Sequence, residues 1–116
     1  MQSLTQAARA YQAATSHRSQ REQEADVFRR ASGALKAAAR GTDAIGRIQA
    51  IADNRRLWIT VADLMRDPAN ALPQELRASI VSIGVAVQRE MDRDSPDFDF
   101  LIAINENIAA GLAGQA

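Results

Sequence analysis

Few side chains in this sequence could do covalent chemistry. The single histidine, His17, stands in a polar stretch beside Arg18. A general base needs an orienting partner and a pocket. Neither is encoded nearby, so His17 reads as a solvent-exposed residue. Glu22 and Asp26 stand four apart, which puts two carboxylates on one helix face, a common surface arrangement. No serine has a nucleophile-elbow context. No glycine-rich loop follows a strand, and no carboxylates fall at calcium-loop spacing. With no cysteine in the chain, disulfides, thiol catalysis and cysteine-based zinc sites are excluded. The chain is expected to be no enzyme and to use neither metal nor cofactor.

Residues suited to recognition are more evident. Asn54 and Asn105 fall where an apolar side chain would be expected. A buried amide without partners costs roughly 1–3 kcal/mol. Each therefore reads as a structural hydrogen bond that fixes helix register, with contact to a partner as the other reading. Trp58 reads first as a core anchor, because a buried indole contributes a large apolar area. Arg55 and Arg56 are expected to point outward, and an arginine beside an aromatic is a frequent hot-spot pairing. Tyr11, Arg55, Trp58, Val81, Val85 and Asn105 make up the candidate partner-binding set.

Five helical segments are expected to position these residues. The first, 3–15, carries Leu4, Ala7, Ala8, Tyr11 and Ala14 on one face. It is rich in alanine and marginal alone, so 1–16 is the part expected to move. The second, 20–40, opens on a capping box of Ser19 and Glu22. It buries Ala25, Phe28, Ser32, Leu35 and Ala39, and it stops at a left-handed Gly41. Gly33 within it costs about 1 kcal/mol relative to alanine, which points to close packing there. The third, 43–66, aligns Ile51, Trp58 and Met65, flanked by Ile48, Val61 and Leu64. Asp67-Pro68 breaks it.

The fourth segment, 73–92, begins with Pro73 at its first position and has two apolar stripes. One is Leu76, Ile80, Ile83, Val87 and Met91; the other is Val81 and Val85. A helix apolar on two sides is central in a bundle or offers one face to a partner. A buried strand over 80–87 is the rival reading, but few segments could pair with it. The fifth, 96–112, is capped by Ser95, opened by Pro96 and carries Asp97 and Asp99 in its first turn. Its stripe is Phe98, Leu101, Ile102, Asn105, Ile108, Ala109 and Leu112. The expected fold is all-α: a single compact bundle of about five helices spanning 1–116.

Fourteen basic residues balance fourteen acidic ones. Nucleic-acid binders carry a surplus of Lys and Arg to displace counterions, so direct RNA or DNA binding is not expected. The Arg-rich stretch 17–40 and the acidic run Asp92, Asp94, Asp97 and Asp99 read as solvated faces. No signal peptide opens the sequence, and the longest uncharged apolar run, Ile80 to Val87, is too short to span a bilayer. A cytoplasmic protein is expected.

The run Asn54-Arg55-Arg56-Leu57-Trp58, then Asp63-Leu64, then Pro68 through Asn70-Ala71-Leu72-Pro73 and Leu76 to Ser82, closely resembles the FlaF family of flagellar biosynthesis proteins. Ala10-Tyr11-Gln12, Glu24 to Phe28, Leu101 to Asn105 and Gly111-Leu112 extend the likeness over nearly the whole chain. The resemblance implies a flagellin-binding secretion chaperone that supports flagellin synthesis and export, working alongside FlbT. On that expectation the second face of the fourth segment, with Val81 and Val85, helps form a groove for an apolar helix of flagellin. The first segment, with Tyr11, docks alongside. The alternative is a regulator that acts with FlbT on flagellin expression, through a protein partner or RNA, without chaperoning flagellin. A third is a purely structural helical subunit.

Overall fold

A computed structural model describes the backbone of residues 2–115 and the side chains of residues 4–12 and 20–115. All five expected segments are helical, but the first two are one helix. The elements are α1 (Gln2–Arg40), α2 (Ala44–Arg66), α3 (Gln74–Met91) and α4 (Phe98–Ala113). The expected break near residues 16–19 rested on a capping box of Ser19 and Glu22. Such a pair can also lie within a helix, and no glycine or proline lies between residues 2 and 32 to stop one. The backbone at Ser19 is mid-helix, so no capping box starts a helix there. The readings of the His17 and Ala14 side chains lie outside the described residues.

Short connections turn each helix back on the one before, giving an up-down-up-down bundle. α1 packs on α2 and α4, α2 packs on α3, and α3 touches α4 lightly. At 1.5 Å per residue α1 is about 58 Å long, while α2, the next longest, is about 34 Å. The molecule measures 63 × 26 × 18 Å, so α1 sets its long axis. The expected compact shape therefore holds for the body alone. Residues 2–20 of α1 overhang it.

The body encloses one apolar core. α1 contributes Arg21, Ala25, Phe28, Ser32 and Leu35, all buried at alternating spacings of four and three, the pattern of a single helix seam. α2 buries Ala50, Asn54, Trp58, Val61 and Met65. α3 buries Ile80, Gly84, Val87 and Met91, and α4 buries Leu101, Asn105, Ala109 and Leu112. Two expected flanking residues of α2, Ile48 and Leu64, are exposed instead, because the seam of α2 runs through Asn54 rather than along its more apolar neighbours.

Most termini follow their sequence signals, with some corrections. Asp43 caps α2, its Oδ1 accepting from the Ile45 N–H at 3.0 Å. Gly41 ends α1, but no described glycine has positive φ, so a bend rather than a left-handed residue makes the stop. Pro73 sits at the cap of α3, one position before the helix. α4 starts at Phe98, later than expected, because Asp97 rather than Ser95 is its cap, accepting from the Phe100 N–H at 3.1 Å. Pro96 lies outside the helix.

The α2–α3 turn is tied by two side chains. Asn70 donates to the Leu64 carbonyl at 2.9 Å and accepts from the Leu72 N–H at 3.0 Å and from Arg21 at 3.2 Å. Arg77 donates to the carbonyls of Leu72, Met65 and Asp67 at 3.1, 3.3 and 3.3 Å. These bonds satisfy carbonyls that the end of a helix leaves without partners. They also fasten α1 to the turn through the buried Arg21.

Gly33 corrects another expectation. A Cβ added there would meet nothing within 4 Å, so no close packing demands glycine. Gly33→Ala is expected to stabilise the fold by about 1 kcal/mol. Urea denaturation would show this as a raised midpoint with unchanged slope.

Candidate partner-binding groove

Trp58 connects α2 to each of the other helices. Its ring meets Phe28 of α1 edge to face, with centroids 5.6 Å apart. Its Nε1–H donates to Asn105 Oδ1 of α4 at 2.9 Å. Its six-membered ring lies under Gly84 of α3, where an added Cβ would stand 3.2 Å from Trp58 Cε3. A glycine within the apolar run of α3 is a sequence signal for close backbone approach, and here the indole fills the space.

The amides continue this link. Asn105 Nδ2 donates to Asn54 Oδ1 at 2.7 Å, and Asn54 Nδ2 faces Met91 Sδ at 3.4 Å. Asn54, Trp58 and Asn105 are all at most 1 % exposed. The structural reading of both asparagines therefore holds. The placement of Asn105 among partner-contacting residues is corrected: it lies inside the body, whereas Trp58, though buried, forms the floor of a surface groove. Both fix how closely α2, α3 and α4 approach.

Above Trp58, α2 and α3 enclose an open groove of about 530 Å³. Ile59 and Val85 stand on opposite rims, 52 % and 47 % exposed, with the half-buried Val81 and Ala62 between them. One end is closed by Arg55, which donates to Asp92 at 2.8 Å and to Gln88 at 3.1 Å. Asp63, Arg66 and Arg89 complete the polar margin. An apolar strip with charged edges is chemically suited to an amphipathic helix.

The structure thus brings together four candidates: Arg55, Val81 and Val85 around the groove and the buried Trp58 as its floor. Tyr11 lies apart, exposed on the α1 overhang, and lines no part of the groove. Ile59, Gly84 and the Arg55–Asp92 pair were missed in the sequence. Ile59 could have been found from its place next to the inward Trp58, and Gly84 from its position in the α3 run. The pairing across helices has no sequence signal.

Two other recesses are less suited to this role. One of about 120 Å³ lies among Phe28, Leu64, Ile80 and Leu112 and has room for a single side chain. The other, about 740 Å³, lies at the α3–α4 turn, where Arg47 stacks over the Phe98 ring at 5.4 Å. Among the described residues no cluster of three or more metal-ligating side chains occurs, and no helix is long and apolar enough to cross a membrane.

An all-helical bundle with an unfilled apolar groove defines a class of shape rather than a function. Comparison with known families narrows it. The family described as flagellar protein FlaF matches residues 7–112, and the chain belongs to this family. No curated protein and no solved structure matches the chain. The matched stretch contains every residue of the indole–amide chain, the α2–α3 turn and the groove.

Replacing Asn105 with Leu would strand the Trp58 N–H and the Asn54 carbonyl. A loss of about 2–4 kcal/mol is expected, from two buried groups left without partners. The emission of Trp58, the only tryptophan, would report it together with the denaturation midpoint.

Proposed function

We propose that this flagellar protein is a flagellin-binding secretion chaperone. It covers an apolar helical segment of flagellin in the α2–α3 groove before export, in the cytoplasm, and so supports flagellin synthesis, export and filament assembly. It acts by binding rather than by catalysis and uses no cofactor. The observation that carries this reading is the groove between Ile59 and Val85, an aliphatic surface that its own chain leaves open. Membership of the FlaF family supports the flagellar setting.

The physical logic is helix-in-groove packing. Burial yields about 25 cal/mol per Å² of apolar surface before ordering costs are subtracted. A client that folds on binding loses part of that gain. The resulting moderate affinity suits cargo that must be released.

The charge layout favours a protein partner over RNA. Arg21, Arg29, Arg55 and Arg56 are each paired with a carboxylate of this chain. These four arginines are thereby neutralised, and among the described residues no row of exposed aromatics is available for base stacking.

Val85→Asp and Ile59→Asp should each weaken flagellin capture at least about tenfold, the usual loss when a charge enters an apolar contact. Their thermal melts should stay near that of the parent chain, because both side chains are already half in solvent. Pull-downs with flagellin and FlbT run separately decide the matter. Undiminished flagellin capture by both folded variants removes the groove from the mechanism. Capture of FlbT alone supports the regulatory reading instead.

A further inference from the structure

Ser32 of α1 carries a buried hydroxyl that its own chain does not satisfy. The residue is 2 % exposed, and its Oγ makes no hydrogen bond among the described residues. A helical serine or threonine can satisfy itself by donating to the carbonyl four residues back. Thr60 and Ser79 do so, to Arg56 and Glu75, at 3.0 Å each. Ser32 instead lines a recess of about 380 Å³ between α1 and α4. An unpaired buried hydroxyl is costly and calls for an explanation. A polar group that enters the recess supplies one.

The recess is built on small residues. Each buried seam contributes one, Ser32 of α1 and Ala109 of α4, with Gly33 and Ala110 beside them. A Cβ added to Gly33 would meet nothing within 4 Å, so the space above it is open. The remaining lining is charged and unequal: Arg29 and Lys36 of α1 stand against the single carboxylate of Glu106. Arg29 pairs with Asp26 at 2.9 Å, and Lys36 pairs with Glu106. All four of these side chains are close to half exposed. Ion pairs in that setting contribute little, so an incoming anion displaces them at small cost.

We propose that this recess binds a carboxylate. The Ser32 hydroxyl donates to it at the floor, and Lys36 and Arg29 supply positive charge and further donors at the rim. A carboxylate has acceptor sites for all three, and hydrogen bonds to an ionised acceptor are the stronger kind. The same chemistry is offered by an acidic side chain of a partner protein and by a small free dicarboxylate. The recess shares no residue with the α2–α3 groove, so this inference goes beyond the client-binding reading and does not depend on it.

The test is a titration of the isotope-labelled full chain with sodium glutarate, followed through its amide resonances by NMR. The pH is fixed and sodium chloride balances the ionic strength. Saturable shifts are expected at residues 29–36 and 106–110. A second arm uses a short alanine-based peptide with one glutamate, and its glutamine counterpart. Tighter binding of the glutamate peptide than of glutarate assigns the recess to a partner's side chain, and the reverse order assigns it to a free carboxylate. Ser32→Ala should weaken binding about tenfold without lowering the melting temperature, since it removes a hydroxyl that the fold leaves unpaired. Gly33→Leu should fill the recess and abolish binding, again with the melt preserved. Val85→Asp should bind glutarate as the parent does, which separates this site from the groove. Shifts no larger than those with chloride alone, an equal response to the glutamine peptide, or undiminished binding by both Ser32→Ala and Gly33→Leu would each overturn the proposal.

Discussion

The hydrogen bond from the Trp58 indole to Asn105 is the constraint on which the rest of this fold depends. α2 and α4 lie diagonally across the bundle and share no close backbone approach. Their connection runs through side chains, Trp58 to Asn105 and Asn105 to Asn54, and Asn54 extends it to Met91 of α3. In a low-dielectric interior such a chain is strong when complete and costly when broken. It therefore selects one register from the many that a small aliphatic core would tolerate. Phe28 and Gly84 complete the surroundings of the indole, so one side chain sets the position of all three neighbouring helices.

The outer surface follows from this inner one. Because Gly84 admits the indole, the α3 backbone sits low over α2. The residues beside it, Val81, Val85 and Ile59, then border a trough rather than a ridge. The Arg55–Asp92 bridge spans the same two helices near its end. An exposed bridge of this kind contributes little to stability. Its consequence here is geometric, since it limits the length of apolar surface open to an occupant. An apolar trough left open by its own chain carries a cost in solubility.

α1 lives in two environments at once. Starting a helix in water is unfavourable, whereas extending one already formed is nearly neutral for alanine-rich sequence. The packed half, from Arg21 onward, supplies the nucleus. Ala7, Ala8, Ala10 and the alanines after them then carry the helix beyond the body. Arg21 marks the boundary. Its guanidinium holds Glu24 within α1 and Asn70 in the α2–α3 turn, so the overhang leaves the body in a defined direction.

Apolar spacing and the placement of prolines and capping residues determined that the chain is helical, where α2 ends and α3 begins, and that α3 has two apolar faces. These are local properties: proline geometry, capping carboxylates and a 3.6-residue period act within a few residues. Recognising Asn54 and Asn105 as polar residues on apolar stripes was possible for the same reason. Tertiary structure decided the rest. It joined 3–15 to 20–40, because no residue there forbids helix and the packed half propagates it. It turned Trp58 and Asn105 inward as partners across 47 positions of sequence. It also set Ile59 opposite Val85, since which outward residues become neighbours depends on how two helices cross, a distance that no local period encodes.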